Sequence, residues 1–400
     1  MNKFKYYFIL LLAGISLVSC SKSNDDDTVT VPVRDYKEQY KADNDSIIKY
    51  LKTNYITVIN SPGTLQDQDV VIKKIVAGDG NVSIWDQTTY SLKSRDVYSN
   101  DVTYKVYFLT LRKGVGSSPT NTDKVVAAYT GTLLDNTVFD TSHGYGGQWL
   151  LFPYSNPTDN ASTVIEGWSE IFPQFKTGTS STADNGVISY KDFGAGVMFL
   201  PSGLGYYSQP QTGIPAYSPI VFSFKLFDLQ RMDNEFSNTT SGRVFIGDGV
   251  PDYLEDLNND GYLYDYNLNK TKYPNPPADW VKENDTDGDG ISDFLDFDDD
   301  GDGFTTRFEI TKPAGQIGIV NGVNYGARLF YPWDSTEDNP LTPNVDETEP
   351  RGIPRRPTGA LADPSQAESA TNVRAFLPED YTANPRLRMH LDKTYPIKKN

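Results

Sequence analysis

Polar and apolar residues alternate in several segments of the chain, and this period of two predicts β-strands. The clearest case is residues 220–229, IVFSFKLFDL, in which Phe222 and its apolar neighbours fall on one face while Ser223 falls on the other. Residues 70–75 and 103–109 alternate in the same way. Strands of this kind bury one side of a sheet, so the central part of the chain is expected to be strand-rich.

Two segments instead show the spacing of a helix. In residues 43–56 apolar side chains recur every three or four positions, which places them on one helix face. From Glu166 to Lys176 three aromatic residues share a face, but Pro173 lacks a backbone N–H, so this helix should be short or kinked. The two apolar faces consist of Ile47, Ile48, Leu51 and Tyr55 in the first helix and Trp168, Phe172 and Phe175 in the second.

The first twenty residues have the layout of a secretory signal. Lys3 and Lys5 precede a short apolar run at 6–18, and Cys20 follows small residues. The run is shorter than the ~20 residues of a membrane-spanning helix, which disfavours the alternative of a transmembrane anchor. The segment resembles a bacterial lipobox. The resemblance implies removal of residues 1–19, lipidation of Cys20, and attachment to the outer membrane of a bacterial envelope, facing the periplasm or the outside.

Composition narrows the choice of partners. Cys20 is the only cysteine, so the folded body has no disulfide and no cysteine-based site. The 400 residues include 53 Asp+Glu against 36 Lys+Arg, which disfavours nucleic acid as a partner and suits cation binding. Residues 20–35 are acidic without apolar periodicity, as in a flexible tether. Their Asn-Asp-Asp-Asp stretch resembles the surface-export signals of Bacteroidetes lipoproteins, with a solvated linker as the alternative.

Three motifs follow one another in the strand-rich part of the chain: YTGTLLDNTVFDTS at 129–142, VIEGWSEIFPQFKTG at 164–178 and GIPAYSPIVFSFKLFDL at 213–229. Together they resemble the FKBP family of peptidyl-prolyl cis–trans isomerases. The resemblance implies an α+β fold over residues 98–231, in which a twisted antiparallel sheet wraps around a short helix. Residues 36–97 are then expected to be an N-terminal extension, one helix and strands, that packs against this domain.

An isomerase of this class speeds rotation about an X–Pro bond, which is slow because resonance imposes a barrier of ~18–20 kcal/mol. A dry apolar pocket disfavours the polar planar amide relative to the twisted one, so no nucleophile, metal or cofactor is needed for catalysis. The resemblance therefore implies an aromatic pocket for proline-containing polypeptides. The residues that match the family's pocket are Tyr129, Phe139, Asp140, Val164, Ile165, Trp168, Tyr206, Ile214 and Phe222.

The resemblance also implies a role for several of these residues. Trp168 matches the floor beneath the proline ring, and the backbone N–H of Ile165 matches a donor to a substrate carbonyl. The Tyr206 hydroxyl matches a group that bonds substrate, and Asp140 matches the one carboxylate facing the pocket. Core packing is the alternative for each aromatic residue, but a carboxylate directly after a strand phenylalanine has no reason to be in a core.

Some positions depart from the family pattern. Tyr207 stands where a glycine is usual, so this loop is expected to be reshaped. Asn136 replaces the glycine of an Asp-Gly turn and tolerates the same positive φ. The loop at 143–163 is longer than is typical, and Trp149 within it is a further candidate for the pocket wall.

After residue 232 apolar residues become sparse, and Asp, Asn and Gly dominate. Segments 285–296 and 298–309 each place oxygen donors at positions 1, 3, 5, 9 and 12 with Gly at 6, the spacing of a Ca²⁺ loop. Hard oxygen donors favour Ca²⁺ over softer metals. With backbone carbonyls at position 7, the predicted ligands are Asp285, Asp287, Asp289, Ile291, Asp293, Asp296, Asp298, Asp300, Asp302, Phe304, Thr306 and Glu309.

Only Phe297 separates the two loops, so the flanking helices of an EF-hand do not fit. The segment resembles thrombospondin type-3 repeats, which implies that structural Ca²⁺, without a part in catalysis, replaces a core over residues 232–310. The alternative is a solvated acidic linker. Residues 311–400 are expected to be partly disordered, above all at 336–375. Degenerate loops are formed upstream by Asp248, Asp252, Glu255, Asp256, Asn258 and Asp260.

These features predict an envelope-anchored prolyl isomerase, a foldase with a structural Ca²⁺ array. The alternative is a non-catalytic proline-peptide-binding or adhesion lipoprotein on the same scaffold. A hydrolase finds no support, because His143 and His390 are the only histidines and neither has a triad-like or metal-ligand context. Both histidines are expected at the surface.

Overall fold

A computed structural model describes residues 32–142, 149–152, 162–240, 242–267, 270–280, 284–339, 342, 344–382 and 385–397. The predicted signal peptide and Cys20 lie outside these residues. Residues from Asp35 onward belong to one compact unit. Among the described helices, none has both the length and the apolar character to cross a membrane.

Within the described residues there are three α-helices, α1 (Tyr36–Thr53), α2 (Glu166–Ile171) and α3 (Thr306–Glu309). The strands are β1 (Asn54–Val58), β2 (Val70–Lys74), β3 (Leu92–Ser99), β4 (Val102–Arg112), β5 (Lys124–Leu133), β6 (Val138–Thr141), β7 (Trp149–Leu151), β8 (Ser162–Thr163), β9 (Thr179–Thr182), β10 (Ile188–Lys191), β11 (Gly194–Leu200), β12 (Ile220–Gln230), β13 (Phe236–Thr239), β14 (Gly242–Phe245), β15 (Ile319–Val320) and β16 (Val323–Asn324).

The main sheet has the strand order β3-β4-β11-β12-β5-β7-β8, with β6 also paired to β5. Its pairs are antiparallel except for β7 and β8. The predicted alternation along β12 is confirmed, since Phe222 and Phe224 bury one face with Trp168 of α2. Val221 points to the other face and packs with Ile47 of α1. The sheet therefore lies between the two helices.

Helix α2 is short, as the sequence predicts. It ends at Ile171 and continues as a 3₁₀ turn over Phe172–Gln174, where Pro173 occupies the first turn and needs no backbone donor. Phe172 and Phe175 are both fully buried beside the sheet. The segment thus positions three aromatic rings in little more than two turns.

Helix α1 begins seven residues before the predicted start at residue 43. The carboxylate of Asp35 caps it by accepting hydrogen bonds from the backbone N–H groups of Lys37 and Glu38. The helix ends at Thr53, so Tyr55 lies in strand β1 and not on the helix face. Strand β3 crosses the expected boundary between residues 97 and 98 and pairs with β4 of the main sheet.

The C-terminal part has more core than the sequence suggested. A cluster that includes Val250, Ile310, Tyr331, Ile353 and Tyr381 is buried, although residues 311–400 were expected to be partly disordered. Residues 336–375 have little regular structure, as an extended segment would, but Ile353 within them is buried in this cluster. The buried residues of this cluster come singly from separate segments, so no hydrophobic periodicity in the sequence predicts the core.

The expectation of surface histidines is wrong for His390. Its ring is fully buried near Trp333, with 5.7 Å between ring centroids. Burial, followed by the charge of Arg388, lowers the pKa of His390 to about 3. His390 is therefore a neutral core residue, whereas His143 lies outside the described residues.

Candidate functional site

A cavity of ≈ 140 Å³, lined mainly by aromatic and aliphatic side chains, opens between α2 and the sheet. Eight of the nine predicted pocket residues line it, which brings together positions as far apart in sequence as 129 and 222. Leu150 of β7 and Thr163 of β8 also line it. Sequence reasoning missed both, because the stretch between Ser142 and Val164 carries no alignable motif. The lining residues are Tyr129, Phe139, Asp140, Leu150, Thr163, Val164, Ile165, Trp168, Tyr206 and Phe222.

The walls of the cavity are aromatic rings in edge-to-face contact. The Trp168 ring lies 5.1 Å from that of Tyr129 at 89° and 5.2 Å from that of Phe222 at 73°. Phe139 meets Phe222 edge-on at 5.6 Å. Such pairs stabilise a fixed arrangement beyond their burial alone. Trp168 is only 2% exposed, so its ring forms a buried floor.

The local sequence explains how the rings approach so closely. A Cβ on Gly131 would come within 2.5 Å of the Phe139 ring and 2.8 Å of the Phe222 ring. Only glycine leaves room for both rings at that point of β5. Trp168 is the third residue of α2, and Ile165 caps that helix in an extended conformation, φ −71° and ψ 156°.

The polar side of the cavity is a tyrosine–carboxylate pair. The Tyr129 hydroxyl donates a 2.7 Å hydrogen bond to Asp140 Oδ2, and the Thr141 backbone N–H donates to Asp140 Oδ1 at 2.8 Å. Burial and then this carboxylate raise the pKa of Tyr129. Burial and then the charge of Asp140 raise the pKa of Tyr206. Both hydroxyls therefore remain neutral hydrogen-bond donors near pH 7.

Ile214 is the predicted pocket residue that does not line the cavity. It is 4% exposed and packs in the same apolar core, at the end of the 211–214 turn. The neighbouring Gly213, at φ +78°, lies close to Phe139. Trp149 lies on β7, but its side chain is outside the described part of the chain, so its role stays a prediction.

The structure shows how Tyr207 is accommodated at a position where the family usually has glycine. Its φ of +47° is in the left-handed region that favours glycine, so the loop keeps the backbone shape that a glycine would adopt. The side chain is buried and stacks on Tyr36 of α1 at 4.0 Å and 11°. The ring is directed to α1 and is not part of the cavity wall. Asn136 likewise adopts a positive φ of 70°, as predicted.

The two Asp-rich loops have the internal hydrogen bonds of cation-binding loops. In the first, the backbone N–H groups of Gly288 and Gly290 donate to Asp285 at 2.7 and 2.9 Å. In the second, the N–H of Gly303 donates to Asp298 at 2.8 Å. These turns gather oxygens at positions 1, 3 and 5 to within 4.8 Å of one another, in Asp285, Asp287 and Asp289 and in Asp298, Asp300 and Asp302.

The remaining predicted ligands lie outside positions 1, 3 and 5 of the loops. Glu309 is 2% exposed, and burial, followed by the charges of Asp300 and Asp302, raises the pKa of its carboxyl to about 10. Asp293 accepts hydrogen bonds from the Thr286 N–H and hydroxyl, at 2.8 and 2.7 Å, and these bonds join positions 2 and 9 of the first loop. Asp296 accepts from the N–H of the second loop's first residue at 3.0 Å. Carbonyl ligation by Ile291 and Phe304 stays a prediction.

Thr306 contacts its own loop, and ligation by its hydroxyl stays a prediction. Its hydroxyl lies 3.5 Å from the backbone N of Asp299, the second residue of the loop, and the side chain is fully buried. Asp256, Asn258 and Asp260 repeat the turn pattern of the loops, since Asp256 accepts from the Gly261 N–H at 2.7 Å.

The Asp-rich region packs against the helix that carries Trp168, which sequence reasoning missed. The Tyr264 hydroxyl donates to Glu170 Oε2 at 2.7 Å, and Arg95 contacts the same oxygen at 3.3 Å. Lys272 pairs with Glu166 at 2.6 Å. Three alternating tyrosines, at 262, 264 and 266, were the available sequence signal, and their rings stack along this contact.

A larger cavity of ≈ 630 Å³ lies near the C-terminus, but the arginine side chains that could bind a ligand there are already paired within the protein. Its three arginines all form ion pairs: Arg356 and Arg374 with Glu368, and Arg386 with Asp380. The aromatic cavity is therefore the stronger candidate site.

The mainly antiparallel sheet, the short helix α2 and the aromatic cavity between them are the arrangement expected of an FKBP-like fold. Residues 116–227 match the family model described as FKBP-type peptidyl-prolyl cis-trans isomerase, so the chain contains a domain of this family. Residues 247–344 match a second model, described as BamM C-terminal.

Relatives share the isomerase part of the chain. The probable FKBP-type peptidyl-prolyl cis-trans isomerase FkpA of Neisseria meningitidis is 32% identical over 124 residues, 31% of this chain and 37% of that protein. The peptidyl-prolyl cis-trans isomerase Mip of Coxiella burnetii is 39% identical over 80 residues, 20% and 30% of the two chains. The crystal structure of FkpA from Escherichia coli aligns with a TM-score of 0.25 and 26% identity, over 36% of this chain and 54% of that one. The chain thus spans about a third of the length of these curated relatives.

Proposed function

We propose that this protein is a peptidyl-prolyl cis–trans isomerase that binds X–Pro segments of polypeptides in the aromatic cavity. The observation that carries the proposal is the convergence of Tyr129, Phe139 and Phe222 on the buried Trp168 ring. A proline ring seated on this floor leaves water, which favours the less polar twisted amide over the planar one. The Tyr206 hydroxyl and the Ile165 N–H supply donors to the flanking carbonyls.

The polar pair limits how the cavity acts. Asp140 is held by Tyr129 and by a backbone N–H, so its carboxylate keeps one position as substrate rotates. It has no nucleophile to activate, and rotation breaks no covalent bond. Its contribution is a fixed electrostatic field at the rim of a dry cavity, where such fields act more strongly than in water.

We also propose that the protein is anchored to the outer membrane of a bacterial envelope through lipidated Cys20, as a foldase for proteins that emerge there. The charged, apolar and cysteine-ended order of residues 3–20 supports this. The acidic, aperiodic stretch at 20–35 would then connect the anchor to the compact unit. When the protein is expressed in bacteria treated with an inhibitor of lipoprotein signal peptidase, we expect a precursor that is longer by residues 1–19.

The Asp-rich loops fit structural Ca²⁺. Their gathered carboxylates and Glu309 supply hard oxygen donors, and bound Ca²⁺ would neutralise the repulsion among nine Asp within residues 285–302. Catalysis itself needs no metal, because the cavity supplies only apolar walls and hydrogen bonds.

The test is exchange spectroscopy on a Leu-Pro peptide with the mature chain of residues 20–400 carrying Cys20→Ser. The expected result is cis–trans exchange that rises linearly with protein concentration. Peptide binding without faster exchange would instead establish the alternative, a non-catalytic proline-peptide-binding or adhesion lipoprotein. Near-UV circular dichroism of the same sample serves as the control for folding.

A further inference from the structure

A set of six carboxylates, five of them outside the two Asp-rich loops, is gathered where the isomerase domain ends. Three overlapping triads have ligand oxygens within 4.8 Å of one another. Two oxygens that bind one Ca²⁺ at ~2.4 Å lie no more than ~4.8 Å apart, so each triad has the spacing of a shared ion. The triads are Asp233, Glu235 and Asp248; Glu235, Asp252 and Glu255; and Asp248, Glu255 and Asp299.

The oxygens of this cluster are buried and largely unpartnered. Glu255 is 3% exposed and Asp299 is 1% exposed, yet neither carboxylate has a hydrogen-bond partner on either oxygen. Glu235 Oε1 and Asp248 Oδ2 are also buried without a partner. Among the described residues, no lysine or arginine forms a salt bridge with any of the six. Burying carboxylates in this way is very costly unless something compensates their charge.

The surrounding backbone holds the cluster in place through the other oxygens. The Asp248 N–H donates to Glu235 Oε2 and to Asp233 Oδ1, both at 3.0 Å. The backbone N–H and side-chain amide of Asn234 donate to the two oxygens of Asp252, at 2.9 and 2.6 Å. A Cβ at Gly247 would meet the Asp233 carboxylate at 2.5 Å, so the turn needs glycine to wrap this closely. The free oxygens are thus left facing one another.

Asp299 distinguishes this cluster from the second Asp-rich loop. It is the second residue of that loop, between the predicted ligand positions 298 and 300, and its carboxylate groups with those of Asp248 and Glu255. The aspartates of segment 298–302 therefore serve two separate sites. The loop pattern in the sequence assigns no role to this position.

We propose that Glu235, Asp248, Asp252, Glu255 and Asp299, with Asp233 at the edge, form a buried site for at least one divalent cation, Ca²⁺ by its hard oxygen donors. The site joins three segments: the residues that follow β12, the turn at 247–255, and the second loop. Its occupation fixes the Asp-rich region to the last strand of the isomerase domain. The site is independent of whether the aromatic cavity is catalytic.

The experiment counts Ca²⁺ on the stripped mature chain by equilibrium dialysis. Glu255→Gln with Asp299→Asn removes two charges at constant size, and Asp184→Asn with Asp192→Asn is a matched control on exposed residues of the β9–β10 region. We expect the cluster variant to bind at least one Ca²⁺ fewer than the wild type, and the control to bind the same number. Asp289→Ala with Asp302→Ala disables the loops separately, and combining the two pairs should lower the count below either.

A second readout is the change of Tm on adding EDTA at pH 7. The wild type should lose several degrees, and the cluster variant less, because its neutral amides do not repel one another without metal. If the double variant lacks a native near-UV spectrum, Glu255→Gln alone is read in the same two assays. Equal Ca²⁺ counts and equal EDTA shifts in wild type and cluster variant would overturn the proposal and leave a set of protonated carboxyls.

Discussion

The Tyr264 hydroxyl donates a 2.7 Å hydrogen bond to the carboxylate of Glu170, which lies two residues after Trp168 on the same short helix. Glu170 is buried, and Arg95 contacts the same carboxylate oxygen. The Asp-rich region therefore contacts the back of the helix whose front forms the cavity floor. The sequence alone predicts that the region takes no part in catalysis, but this contact leads us to a different prediction. The contact involves no metal in the cavity, but through it the position of α2 depends on whether the Asp-rich region is ordered.

We therefore predict that chelation weakens isomerisation. EDTA should lower kcat/KM several-fold by loosening the contact with α2, and Tyr264→Phe in Ca²⁺ should lower it in the same direction. Losing this charge-assisted hydrogen bond costs ~1.5–3 kcal/mol of local stability. Tyr325→Phe, a hydroxyl deletion in the C-terminal region, is the matched control. Identical kcat/KM with and without EDTA would show that the contact does not reach the cavity.

Tyr207 should be a structural residue and not a substrate contact. Tyr207→Gly relieves a left-handed backbone but removes the ring stacked on Tyr36, and the loss of burial outweighs the relief, for a net ~1–2 kcal/mol. Urea unfolding and hydrogen exchange in α1 measure this. The control is Asp192→Gly, an exposed residue at φ +51° with no stacked ring, which should be neutral or slightly stabilising. A Tyr207→Gly chain as stable as wild type would show that the stack contributes nothing.

Trp168→Ala should cost both stability and activity. Removing a ring that is 2% exposed leaves a cavity beneath Phe172 and Phe222, at ~3–5 kcal/mol of unfolding free energy. Urea titration gives the stability, and exchange spectroscopy gives the rate. Trp168→Phe keeps an aromatic floor, so it should retain the fold and part of the rate. A Trp168→Ala protein with full kcat/KM would place the reaction elsewhere.

Ca²⁺ should order the loops. Limited proteolysis of the mature chain should cut within residues 284–310 in EDTA but not in Ca²⁺, because unneutralised aspartates repel one another. Asp289→Ala with Asp302→Ala should show the EDTA pattern even in Ca²⁺. The same cleavage pattern under both conditions would instead mean that the stretch is an acidic linker.

The sequence predicts the cavity better than the C-terminal part for a physical reason. Strand alternation and the motifs at 129–142 and 164–178 fix both register and neighbours, so eight of nine pocket residues meet as expected. Among the buried carboxylates, Asp248, Asp252 and Glu255 belong to a predicted degenerate loop, but Glu235 and Asp299 lie 64 positions apart and no sequence pattern joins them to it. His390 is similar, since its burial depends on partners from distant irregular segments. For Tyr207 only part could be predicted: the family resemblance predicts the positive φ of its backbone, but nothing in the sequence predicts that its ring stacks on Tyr36.

The most direct test of the central claim, that this cavity isomerises prolyl bonds, compares kcat/KM for a Leu-Pro peptide between Asp140→Ala and Asp184→Ala. Asp140 lines the cavity and anchors Tyr129, whereas Asp184 is exposed and does not line it. We expect kcat/KM to fall about tenfold or more for Asp140→Ala, ~1.4 kcal/mol of transition-state stabilisation, with native spectra, and not to fall for Asp184→Ala. Equal kcat/KM for wild type, Asp140→Ala and Asp184→Ala would contradict it.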